Sequence, residues 1–327
     1  MFRLAQSWVW AFWLVDDGST YHVFFLQAPR SLGRADLRHF SATVGHAVSS
    51  DLITWEAVED AVAPSRLPAF DDRAVWTGST VAGPDGRWHL FYTGVSNAEN
   101  GLVQRVGSVV SDDLYRWERP QAGPLVVADP RWYEALDTRK WPHEAWRDPW
   151  VFRDPKGNGW HMLLTARANY GELRERGVVG HATSADLATW QVEPPLSRPG
   201  CGFGQLEDLQ AEVIEGRSML LFSCHKAEIA QRISGSGGIW AVHRTSVGKE
   251  WQVEKAHQLT DDLLYCGRAM RDRSGRWVML AFHNASEEGF VGEISDPMPL
   301  TFSGGDKLML SSRGGTRPRS SREGRVQ

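Results

Sequence analysis

Two acidic residues stand where this sequence could support chemistry. Asp148 lies in WRDPWVF (146–152) and Glu207 in LEDLQAEV (206–213), each near the start of a strand-like run that precedes a hairpin signal. A pair of carboxyl groups on converging strands is the equipment of glycoside hydrolysis. One acid protonates the leaving oxygen, and another attacks the anomeric carbon or activates water. The plainer alternative is that Asp148 pairs with adjacent Arg147 and that Glu207 faces solvent. An acid held inside a channel is costly unless it is used, paired or solvated, so the fold decides between the two.

Internal repeats indicate what must position these residues. A strand-like run follows a turn signal five times: TYHVFFLQA (20–28), RWHLFYTGV (87–95), GWHMLLTAR (159–167), RSMLLFSCH (217–225) and RWVMLAFHN (276–284). The preceding pairs are Asp17-Gly18, Asp85-Gly86, Lys156-Gly157, Glu215-Gly216 and Ser274-Gly275. Glycine after a short polar residue suits a tight hairpin, where positive φ is needed. A second unit recurs as GHAVSSDLITWE (45–56), GSVVSDDLYRWE (107–118) and GHATSADLATWQ (180–191), with a degraded copy ending at Trp251. Short strands in regular repeats with Gly-rich turns predict an all-β fold, a five-bladed β-propeller of four-stranded blades. The expected inner strands are 10–15, 76–81, 147–152, 206–213 and 265–270, and their residues converge on one axis. Residues 1–310 are expected to form this single domain. Residues 311–327, with five Arg and no apolar anchor, are expected to be a disordered basic tail.

Composition narrows the function classes. The chain has 327 residues and a formal net charge of -4, which excludes a strongly basic nucleic-acid binder. No apolar run approaches the ~20 residues of a spanning helix. The start, MFRLAQSWVWAFWLVDD, reads as a strand and not as a signal peptide, which gives the expectation of a cytoplasmic protein. Cys201, Cys224 and Cys266 form no paired framework and read as buried small hydrophobes. His22, His89 and His161 recur at one blade position and His46 and His181 at another, which reads as structural. No metal-ligand spacing is present, so neither a metal nor a cofactor is expected. The 16 Trp suit both packed cores and sugar-stacking clefts. Trp55, Trp117, Trp190 and Trp251 read as blade-closing core. Trp132, Trp141 and Trp146 are candidates for a cleft rim.

The blocks GHAVSSDLITWE, WTGSTV with LFYTGV, WRDPWVF and LEDLQAEV follow one another in the order and spacing of glycoside hydrolase family 32, which the chain resembles over nearly the whole propeller. That family and its relative, family 68, contain fructosyl hydrolases and fructosyltransferases. The C-terminal β-sandwich usual in family 32 is not expected within these 327 residues. The resemblance implies retaining hydrolysis or transfer of β-fructofuranosyl units from sucrose, levan or inulin-type fructans, with a small-molecule or oligosaccharide substrate as the partner. It implies Glu207 as general acid/base, Asp148 as transition-state stabiliser, and Arg147, Gln27, Trp76 and Thr77 as substrate-binding residues. Trp10 is expected to line the same pocket. The family's nucleophilic aspartate falls on Ala11, and the internal repeat agrees by laying WAFWLV over RDPWVF. A retaining mechanism without its nucleophile has no covalent intermediate, so activity is expected to be lowered or lost. Asp208, beside Glu207, is expected to point away from the sugar because successive strand residues alternate. Were it to neighbour Glu207 instead, it would raise that residue's pKa. Three rival readings remain: a non-catalytic carbohydrate-binding propeller, an interaction scaffold, and an inverting pentosidase like family 43.

Overall fold

The computed structural model describes residues 1–244, 250–286 and 289–311. Five antiparallel sheets follow one another along the chain, as the repeats predict. The first blade is β1 (Ser7–Asp16), β2 (Tyr21–Pro29), β3 (Thr43–Ser49) and β4 (Glu56–Ala57). The second is β5 (Ala74–Ala82), β6 (Trp88–Val95) and β7 (Arg105–Ser111). The third is β8 (Trp146–Arg153), β9 (Trp160–Arg167), β10 (Gly177–Ser184) and β11 (Gln191–Glu193). The fourth is β12 (Glu207–Ile214), β13 (Arg217–Cys224), β14 (Gly238–Arg244) and β15 (His257–Gln258). The fifth is β16 (Leu264–Arg271), β17 (Trp277–Ser286), β18 (Gly289–Ile294), β19 (Met298–Ser303) and β20 (Lys307–Leu310).

Two blades depart from the expected four strands. In the second, the outer position holds only a single bridge, Val110 with Glu118. Pro120 follows two residues later, and proline cannot donate to a ladder. In the fifth, β18 pairs β17 beside the main path. Its end also meets the chain's start: Phe2 and Ile294 exchange N–H···O bonds of 2.9 Å each way, joining the last blade to the first. Ser311, expected in the disordered tail, donates its N–H to Pro299 O at 2.9 Å. The rest of that tail lies outside the described residues. Among the described residues, helical structure is confined to short 3-10 turns, and no helix is long and apolar enough to cross a membrane.

The Ser-Asp-Leu-x-x-Trp unit is a self-contained corner. Ser49 Oγ accepts the Leu52 N–H at 2.9 Å, and Asp51 Oδ1 accepts those of Ile53 and Thr54 at 2.8 and 2.7 Å. This side-chain capping holds buried Leu52 at φ 65°, a strained value for a branched residue. The copies at Leu114 and Leu187 do the same, at φ 68° and 67°. Trp117 packs edge-on against Phe24 of the preceding blade at 5.7 Å, and Trp190 against Phe91 at 5.7 Å. These indoles are half-buried at blade junctions, whereas Trp251 is fully packed.

Candidate active site

Every inner strand carries a β-bulge at the same place. The pairing register slips by one residue between Trp10 and Phe12, Trp76 and Gly78, Arg147 and Trp150, Glu207 and Gln210, and Tyr265 and Arg268. The bulge residues Ala11, Asp148, Asp208 and Cys266 have φ of 23°, 56°, 53° and 52°. Blade two reaches the bend differently. Thr77 bulges and Gly78 follows, where a Cβ would lie 1.7 Å from Phe91 O. A bulge re-aims side chains, so strict alternation fails here. Two sets of five residues result: Trp10, Trp76, Arg147, Glu207 and Tyr265 before the bulge, and Ala11, Thr77, Asp148, Asp208 and Cys266 at it.

Hydroxyls on the second strands tie these bulges between neighbouring blades. Thr93 Oγ1 accepts the Asp148 N–H at 2.9 Å, and Ser223 Oγ accepts the Cys266 N–H at 3.0 Å. Thr165 donates to Asp148 Oδ2 at 2.8 Å, and its hydroxyl oxygen also lies 2.9 Å from Leu206 O. All three hydroxyl residues are fully buried.

A cavity of about 470 Å³ opens on the axis, and nine of the ten residues in those two sets line it. Arg147 is its electrostatic centre. Its Nη2 donates to Glu207 Oε1 at 2.5 Å and Gln205 Oε1 at 2.7 Å, and its Nη1 to Gln104 Oε1 at 3.1 Å. Its Nε stands 3.3 Å from Asp148 Oδ2. Tyr265 OH donates to Glu207 Oε2, and His225 Nε2 lies 3.9 Å from the same oxygen. Burial alone would raise the Glu207 pKa. The Arg147 charge outweighs it, with help from His225 and the Tyr265 hydroxyl, and holds Glu207 well below the usual carboxylate range. Asp148 is pushed up, by burial first, against the pull of Arg147. Burial and the Asp148 charge push Asp208 up to about 8. Burial and nearby arginines bring His39 down to about 3 and His143 to about 4, so the cavity wall keeps these imidazoles neutral at pH 7.

Most of the residues expected from the sequence meet here. Trp10, Ala11, Trp76, Thr77, Arg147, Asp148 and Glu207 all line the cavity. Trp76 is fixed by its Nε1–H, which donates to His39 O at 2.6 Å. Gln27 does not join them. Its Nε2 donates to both oxygens of Asp60 at 2.7 and 2.8 Å, and Leu26, one residue earlier on β2, takes the cavity wall. Asp208 is the reverse correction. It lines the cavity instead of pointing away, because it sits at the bulge. Its neighbour Glu207 is lowered and not raised, since Arg147 dominates. Of the rim candidates, Trp146 is fully buried against Tyr133. Trp141 lies under the Arg167 guanidinium at 3.5 Å, while Pro142 and His143 reach the cavity.

Tyr265, His225, Gln104, Gln205, Glu228 and Arg268 belong to the cavity or its surround without a motif in the sequence that singles them out. The repeat register alone points to Tyr265, which takes the place of Glu207 in its own blade. The two glutamines come from irregular segments with no periodic signal. A second cavity, about 440 Å³, lies between blades three and four around Trp150, Phe152 and Trp251. It holds none of the converging residues. Among the described residues, no cluster of His, Cys, Asp or Glu is arranged to hold a metal ion.

Five blades around an acid-lined axial pocket make the chain a five-bladed β-propeller with its candidate site on the axis. The family model for the glycosyl hydrolases family 32 N-terminal domain matches residues 13–291, and the chain belongs to that family. An insoluble β-fructofuranosidase isoenzyme of Arabidopsis thaliana is 29% identical over 229 residues, covering 67% of this chain and 38% of that protein. The chain therefore spans less than half the length of that curated relative. The structure of inulosucrase from Halalkalicoccus jeotgali bound to kestose superposes with a TM-score of 0.77 at 24% identity, covering 94% of this chain and 87% of that one. An aspartate-to-alanine mutant of a Bombyx mori β-fructofuranosidase in complex with sucrose has a TM-score of 0.72 at 17% identity, covering 96% and 64%.

Proposed function

We propose that the axial pocket takes the fructosyl end of a β-fructofuranoside, sucrose or a levan- or inulin-type fructan, and belongs to a retaining hydrolase or fructosyltransferase. In this chain the chemical step is impaired because Ala11 stands where the nucleophilic carboxylate belongs. The observation that carries this reading is the Arg147 clamp, which holds Asp148 and Glu207 together at the axis in a cavity that Trp10 and Trp76 also line. Asp148 would accept fructosyl hydroxyls and stabilise positive charge developing at the anomeric carbon. Glu207 would be the general acid/base, and to act as the acid it must take up a proton that the Arg147 charge opposes in the ligand-free pocket. Trp76, half-buried in the cavity wall, offers a flat apolar face to the ring, while Trp10, buried under the Arg38 guanidinium, backs the wall. The names of the relatives support the substrate class: β-fructofuranosidase, and an inulosucrase bound to kestose.

The non-catalytic alternative, a protein that binds the sugar and does not cleave it, is favoured by Ala11 alone. Both readings are tested by incubating the chain and its Ala11→Asp variants, with and without Asp208→Asn, with sucrose, levan and inulin. Fructose release by a variant carrying Asp at position 11, and not by the parent, supports the impaired enzyme. Binding with no release by any variant supports the binding protein. Neither binding nor release removes the fructoside reading.

A further inference from the structure

Position 11 lacks a carboxyl group, yet the floor of the pocket does not. Asp208 occupies in blade four the bulge place that Ala11 occupies in blade one and Asp148 in blade three. It is 5% exposed, and its Oδ1 is buried without a hydrogen-bond partner. Arg268 Nη2 stands 3.7 Å from that oxygen. The same guanidinium links the two bulges through the backbone. Its Nε donates to Phe12 O at 2.9 Å, and its Nη1 to Asp208 O at 2.8 Å. Cys266 lies between them, with its Sγ 3.4 Å from the Phe12 N–H donor nitrogen.

We propose that Ala11 and Asp208 are a coupled pair: Asp208 serves as the third carboxyl group of the pocket floor, and it is tolerated there because position 11 has none. This rests on the fructoside reading only for its activity assay. The charged and titratable groups facing Asp208 are Asp148 from β8, Glu207 from its own strand, and Arg268 and Cys266 from β16. β1 brings none near its bulge. Two arginines, Arg147 and Arg268, face three acids. A fourth acid at position 11 would add repulsion with no added cation, and protons would be taken up to relieve it. An aspartate restored at position 11 would then raise Asp208 further and keep its proton in place to higher pH. Asp208 in the ligand-free chain is the proton-holding member of the floor, available to donate to a sugar hydroxyl or to Asp148.

The test uses the full chain with Ala11→Asp, Asp208→Asn and both together. Melting temperature is followed from about pH 5 to about pH 8.5. Asp208 is protonated in the folded state and ionised in the unfolded state over most of this range, so the parent loses stability as pH rises, and Asp208→Asn flattens that slope. At about pH 8.5, where Asp208 begins to ionise, Ala11→Asp lowers the melting temperature more in the parent than in the Asp208→Asn background, and near pH 6 the two losses are alike. Fructose release by Ala11→Asp falls along an alkaline limb above about pH 8, where Asp208 loses its proton, and the double variant lacks that limb. Equal activity and pH profile of the single and double variants overturn the coupling. So does an Asp208→Asn chain whose stability follows pH as the parent's does. If no variant releases fructose, the substrate reading fails, and the melting data alone support or overturn the coupling.

Discussion

Arg147 Nη2 donates to Glu207 Oε1 across the junction of blades three and four, at 2.5 Å. Both residues stand immediately before their bulges, and Arg147 is 7% exposed. A buried guanidinium with this many acceptors orients the acid and fixes its charge state at once.

Removing that cation should therefore be costly twice. Arg147→Met leaves Glu207 and Asp148 without their shared counter-charge in a low-dielectric pocket. Breaking a buried pair from one side costs on the order of 3–5 kcal/mol. Chemical denaturation should show a loss of that order, and Arg147→Lys should recover only part of it because an ammonium cannot bridge four acceptors.

Acid should expose the same pair. The folded-state pKa of Glu207 is depressed, so its stabilising contribution is complete above the ordinary carboxylate value of ~4.3 and fades as pH falls below it. Tyr265→Phe removes one hydrogen bond to the ionised form. Its acid-unfolding midpoint should lie at higher pH than the parent's, read by intrinsic fluorescence.

The hydroxyl ties between blades are separable from sugar binding. Thr93→Val keeps the shape but leaves the buried Asp148 N–H unpaired. An unsatisfied buried donor costs roughly 1–3 kcal/mol. Thermal denaturation should register that loss, and hydrogen exchange should be faster at the Asp148 amide.

Trp76 couples the pocket wall to the 3-10 segment Ala35–Ser41 through the bond to His39 O. Trp76→Phe keeps an aromatic face and loses the donor. Sucrose affinity should fall by less than ten-fold in Trp76→Phe and by more in Trp76→Ala, since stacking is worth on the order of 1 kcal/mol. Calorimetry of the two variants separates stacking from positioning.

Much of this fold is legible in the sequence because its repeats are local. Four of the five glycine turns and the Ser-Asp-Leu-x-x-Trp corners are capped by their own side chains, so their residue types report their conformation directly. The meeting of Asp148 and Glu207 at the axis is legible because inner strands must converge, and Arg147 comes with the Arg-Asp-Pro block. What strand alternation could not reveal was the bulge. An inserted residue at φ near 50° turns Asp208 inward, and nothing in LEDLQAEV marks it. The side on which a strand residue falls likewise decided against Gln27, whose amide Asp60 holds while Leu26 faces the cavity. Gln104 and Gln205 are long-range partners of one guanidinium, from segments without periodicity, and only the closed ring brings them together.

The most direct measurement is a calorimetric titration of the unaltered chain with sucrose and kestose, beside Arg147→Ala and with maltose as a control sugar. The account predicts saturable binding of the fructosides at one site, no binding of maltose, and loss of the signal in Arg147→Ala. Absence of fructoside binding by the folded parent chain, or binding that Arg147→Ala leaves intact, would contradict it.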